Sequence, residues 1–115
     1  MSLVLSQQIR TMGHIGTEFG DFGRQIRNRI NLIQMQPLVK WPDLVLSRQL
    51  ETFQRRGDKI YSFGAQLLDR LNTRGRNPGV KQPPLELGVE LQAVQELDQR
   101  FFEFGVQVLQ AINDL

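Results

Sequence analysis

Few residues in this chain could carry acid–base, nucleophilic or metal chemistry. His14 is the only histidine and there is no cysteine, so neither a histidine or cysteine metal set nor a thiolate nucleophile can be assembled. The carboxylates Glu86 with Glu90 and Asp98 with Glu103 read as solvated positions on one acidic stretch and not as a pair shaped for proton transfer. Gly13-His14-Ile15-Gly16 lacks the preceding strand and the Gly-Lys-Ser/Thr of a phosphate-cradling loop. No catalytic, cofactor-binding or metal-ligating residue is expected, and the chain reads as non-enzymatic.

Arginine is the exception. It outnumbers lysine eleven to three, and its planar fork suits carboxylate, phosphate and aromatic contacts. Arg24, Arg27 and Arg29 form one cluster, Arg55, Arg56 and Lys59 a second, and Arg74 and Arg76 lie with Lys81 in a third. Trp41, the only tryptophan, sits between Pro37 and Pro42 in a proline-rich stretch whose later counterpart has Gln82. These residues are the candidates for partner binding. The competing reading is structural: the arginines pair with Glu86, Glu90 and Glu96 or face solvent, and Trp41 caps the end of a bundle.

Three tandem copies of one unit must position these side chains. Phe22-Gly23-Arg24-Gln25, Phe63-Gly64-Ala65-Gln66 and Phe104-Gly105-Val106-Gln107 are spaced by forty-one residues, and Asn31, Asn72 and Asn113 follow in the same register. Units 1–41 and 42–82 agree at fifteen positions, and units 42–82 and 83–115 at ten of the thirty-three they share. Such self-similarity is the signature of a repeat architecture. The unit charges are +3, +4 and −5, so the acidic third copy complements the two basic ones.

In the second copy the apolar stripe runs Leu46, Leu50, Phe53, Gly57, Ile60, Gly64, Leu67, Leu71, with steps of four and three. That is a heptad seam, and the other copies carry it in the same phase. It predicts three continuous helices of about twenty-nine residues, each roughly 43 Å long at 1.5 Å per residue. Pro42 and Pro83-Pro84 mark where the second and third begin. The connections, 32–42 and 73–83, are long enough to reverse direction. The expected fold is all-α: one domain over 1–115, an up-down-up antiparallel bundle.

Glycine complicates this expectation. Gly13, Gly16, Gly20 and Gly23 would all fall inside one helix, and each costs about 0.5–1 kcal/mol there relative to alanine. The alternative is an α-solenoid in which every unit breaks into two shorter helices near Gly16, Gly57 and Asp98. The unbroken heptad phase favours continuous helices. Within them Gly23, Gly64 and Gly105 sit on the seam beside Phe22, Phe63 and Phe104, so the motif reads as a packing device in which rings fill glycine slots on a neighbouring helix. Gly16-x-x-x-Gly20 reads likewise as a helix contact, since Glu18, Asp21, Arg24 and Arg27 surround it and exclude a bilayer setting.

No segment has the eighteen or more apolar residues that a membrane helix requires, and the first ten lack a basic stretch followed by an apolar run. A soluble, cytoplasmic protein without membrane insertion is expected. The functional expectation is a protein-interaction or assembly module using coiled-coil-like helix faces, with self-association as one form. The alternative is a nucleic-acid-associated protein using the basic faces of units one and two.

Overall fold

The computed structural model describes residues 2–115. These residues form six α-helices and no strand: α1 (Ser6–Ile15), α2 (Thr17–Met35), α3 (Ser47–Arg56), α4 (Asp58–Arg76), α5 (Gly88–Leu97) and α6 (Gln99–Asp114). The fold is all-α as expected, but each of the three continuous helices is instead two. A single non-helical residue separates a short arm from a long one, at Gly16, Gly57 and Asp98.

The three break residues achieve the same reversal with different chemistry. Gly57 adopts φ 144° and ψ 158°, a region that L side chains avoid and glycine enters freely. Gly16 and Asp98 are extended, with φ of 175° and −166°, conformations open to any residue. Asp98 repays the loss of helical hydrogen bonding: its Oδ1 accepts the Phe101 N–H at 2.9 Å and caps α6. An aspartate on the heptad seam, anomalous in a continuous helix, is thus an N-cap.

Each short arm folds back antiparallel along the long arm that follows it. The closest approach falls at glycine. A Cβ on Gly64 would lie 2.8 Å from Phe53 Cδ2 and 2.9 Å from Leu50 Cδ2, and one on Gly23 would lie 3.1 Å from Met12 Cε and 3.2 Å from Ile9 Cγ1. In the first pair the backbones themselves meet, because a Cβ on Gly20 would lie 3.0 Å from the Gly13 Cα. The glycines that made a single long helix costly are therefore the residues that allow two helices to touch.

The open end of every pair is closed by an asparagine. Asn31 Oδ1 accepts the Leu3 N–H at 2.8 Å while its Nδ2 donates to the Leu3 carbonyl at 2.9 Å. Asn72 does the same to Leu44 at 2.8 and 2.9 Å, and Asn113 to Leu85 at 2.8 and 3.0 Å. Only a primary amide offers both a donor and an acceptor in the geometry of a peptide group, which accounts for the recurrence of asparagine in this register.

The pairs close into a ring. Helix α2 packs on α3, α4 on α5 and α6 back on α1, while the long arms α2, α4 and α6 meet one another at the centre. No end of the array is left open, unlike a solenoid, and the longest dimension is 36 Å, shorter than the helices the heptads implied. Phenylalanines fill the middle: Phe19 stacks on Phe53 at 4.5 Å between centroids, and Phe101 meets Phe19, Phe53 and Phe63 edge-on at 5.6 to 5.8 Å. All four rings come from different helices, α2, α3, α4 and α6.

Two substitutions test this account of the pairs. Replacing Asn72 by Asp puts a second acceptor against the Leu44 carbonyl and should cost about 2 kcal/mol in urea unfolding. Asp98→Ala removes the cap alone and should cost about 1 kcal/mol. An unchanged unfolding midpoint in either variant would show that the clamp or the cap contributes nothing.

Candidate interaction surface

The connections between pairs bring the sequence candidates to one end of the ring. Arg29, near the end of α2, donates from Nη1 to the Pro42 carbonyl at 2.6 Å, and Arg70 in α4 donates in the same way to the Pro83 carbonyl at 2.6 Å. Each arginine thereby ties down the chain that follows its own helix. Burial pushes the Arg29 guanidinium below its usual range, an effect partly offset by Asp43.

Trp41 belongs to this end. Its backbone N–H donates to the Gly75 carbonyl at 3.0 Å, its Cβ side faces Gly75 where an added Cβ would lie 3.4 Å away, and the Arg29 guanidinium sits 5.8 Å from its ring centroid. The ring packs partly buried against the core. Arg74 is buried and donates from Nη2 to the Pro37 carbonyl at 3.0 Å, while Arg76 Nε pairs with Asp43 Oδ1 at 3.0 Å. Four candidates thus meet at the connections and bind the chain's own backbone or acids.

The remaining basic residues lie elsewhere. Arg24 pairs with Asp21 on the outer face of α2, and Arg27 reaches the Val4 carbonyl at 3.1 Å. Arg55 pairs with Glu51 at 2.8 Å, and the Arg56 guanidinium lies 5.9 Å from the Phe19 ring at the opposite, chain-reversal end. Lys59 lines an open groove of about 460 Å³ there with Ile60, Ala93 and Leu97. The arginines do not pair with Glu86, Glu90 or Glu96. The acidic third pair is held instead by Ser62 and Gln66, which donate to Glu90 at 3.2 and 3.3 Å, and by Gln8, which donates to Glu103 at 3.5 Å.

The phenylalanine–glycine motif lies inside. Phe22, Phe63 and Phe104 are fully buried. Gly23, Gly64 and Gly105 all receive residues of the short arm of their own pair, and Phe63 also reaches the Gly105 slot, 3.0 Å from the place a Cβ would take. The motif is consumed by packing and offers no groove.

What stays exposed is a set of residues the sequence reading passed over. Leu32, Met35, Leu38 and Val39, within eight residues at the end of α2 and in the connection behind it, are all exposed, Met35 at 70% and Leu38 at 80%. The signal was present as an apolar run continuing past the last heptad position, Ile30. A large apolar side chain exposed singly is ordinary; four within eight residues are not. Among the described residues no group of three potential metal ligands occurs, and no helix is long and apolar enough to cross a membrane. Comparison with protein-family models, with curated proteins and with solved structures gave no match.

Trp41→Ala separates packing from display at this end. Because the ring lies against Gly75 and Arg29, truncation should lower thermal stability by about 2 kcal/mol. A melting curve identical to that of the parent would assign the ring to a partner alone.

Proposed function

We propose that this protein is a non-enzymatic protein-interaction module: three copies of one helix-pair unit form a closed, rigid ring that displays an apolar patch at the connection between α2 and α3. The observation that carries this reading is that Leu32, Met35, Leu38 and Val39 are exposed within eight residues of one another, whereas the other exposed large apolar residues, such as Tyr61 and Val89, are spread singly along the chain. The coiled-coil-like seams expected to bind a partner face inward, so the surface for recognition moves to the connection end. Arg29, Trp41 and Arg76 lie at that end and supply its polar rim, an arrangement of apolar centre and arginine-bearing edge that suits protein contacts. A second copy of the chain is one such partner.

A nucleic-acid-binding role has less support. The basic residues of the first two pairs are distributed over the outer face of α2, the reversal end and the connection end, and most of them hold an acid, a carbonyl or a ring of this chain. Phosphate contacts strong enough for binding require many cations free on one face.

The test is a paired substitution, Met35→Glu with Leu38→Glu. Both side chains are exposed, so the melting temperature should stay within the equivalent of about 0.5 kcal/mol. Self-association in sedimentation, or retention of a partner co-purified from the native source, should fall by about tenfold or more. Retention unaffected by the pair of charges would remove this patch from the interface and the proposal with it.

A further inference from the structure

At the chain-reversal end, the junction of α2 with α3 and that of α4 with α5 are built alike but filled differently. In the first, the ring of Phe19 at the start of α2 is covered by the guanidinium of Arg56, 5.9 Å from its centroid. Forty-one residues on, Phe19, Thr52 and Arg56 become Ile60, Ala93 and Leu97, three smaller side chains at one place. The second junction is open in consequence. Ile60, Ala93 and Leu97 line its groove of about 460 Å³, and an adjoining hollow that shares Ala93 and Glu96 extends it along α5 to the exposed Val89. Hollows of this size take a few side chains.

The charge around this groove is not compensated inside the chain. Of the charged residues that line it, Arg56 is spent over Phe19. Asp58 and Glu96 then face Lys59 alone, and none of these three enters an ion pair among the described residues. Helix α5 carries Glu90 and Glu96 and no cation. Only one of the four ion pairs involves the acidic third unit, and it joins Arg100 to Glu103 within α6. The segment 35–40, at the connection end, has the complementary character. Met35, Leu38 and Val39 are exposed, and the single charge of the segment is Lys40, exposed and likewise outside every ion pair of the described residues.

We infer that this chain assembles head to tail, the segment 35–40 of one copy seating in the groove between α4 and α5 of the next. Leu38 enters beside Ala93 and Leu97, and Lys40 meets Glu96. This contact rests on the reading of the first connection as a recognition surface and makes its partner a second copy of the chain. Apolar burial supplies the attraction, and the opposed charges set the direction. Because the two surfaces differ and lie at opposite ends, each added copy leaves one groove and one segment free. Assembly of that kind continues past the dimer unless its rotation closes a ring.

Sedimentation of the full chain over a range of concentrations should show species that grow beyond the dimer. Leu97→Arg gives the second junction the side chain that covers the first, and should weaken assembly by about tenfold or more. Glu96→Lys, at an exposed position that leaves the fold intact, should weaken it by about threefold or more, and Lys40→Glu added to the same chain should restore it. Met35→Glu with Leu38→Glu blocks the segment but keeps the groove. Mixed with a folded groove variant, it should form a one-to-one dimer that extends no further, although each alone is monomeric. A parent chain monomeric at every concentration, undiminished assembly in either folded groove variant, or a mixture that stays monomeric would overturn the inference. Retention of another protein that is lost with the segment variant and kept by the groove variants would also overturn it, while leaving the first connection as a recognition surface.

Discussion

Reversal of the chain within a single residue is the constraint on which this structure depends. Because Gly16, Gly57 and Asp98 each turn one helix back onto the next without a loop, the two arms start in contact and have no slack with which to separate. A side chain at the crossing would force them apart, so glycine occupies Gly23, Gly64 and Gly105, where a Cβ would fall 2.7 to 3.2 Å from its nearest neighbours. The far ends must then be held, and the asparagine amide does so with two hydrogen bonds per pair. Turn, slot and clamp are three parts of one device, and they recur together because none is useful alone.

Closing three such pairs into a ring uses up the surfaces that a helical protein often offers to others. The long arms meet at the centre around Phe19, Phe53, Phe63 and Phe101, and the short arms cover the flanks. Arginine, the most conspicuous residue type of the chain, is spent in part on its own backbone: Arg29 and Arg70 each hold the connection behind their helix, and Arg74 holds the connection before its own pair. Such contacts need a long, flexible stem and a multivalent head, which lysine has only in part.

Departures from threefold regularity are where a functional difference can reside. Gly13 and Gly20 give the first pair a backbone contact, where the second has Gln54 and Tyr61 and the third has Gln95 and Phe102. The first connection carries an exposed Leu38 where the second has Gly79, while Val39 and Val80 are exposed in both. A repeated core tolerates the changes at the connections because these lie outside the clamps and slots that every pair requires.

Much was legible in the sequence by itself: the helical class, the forty-one-residue register, the buried face of every arm, and the importance of the glycine beside each phenylalanine. All of these follow from local spacing, since a stripe of apolar residues reports which face is buried whatever the helix does next. The same stripe misled about continuity. A hairpin with a one-residue turn keeps its seam pointing inward on both arms, so the heptad phase passes through the break unchanged, and Asp98, on the seam itself, is the residue that starts a new helix. Only the tertiary structure decided that the arms fold back, that the ring closes through α6 and α1, and which arginines are spent on carbonyls. These depend on contacts between residues far apart in the chain, such as Asn31 with Leu3 or Arg74 with Pro37, and spacing along a sequence does not encode which distant groups will meet.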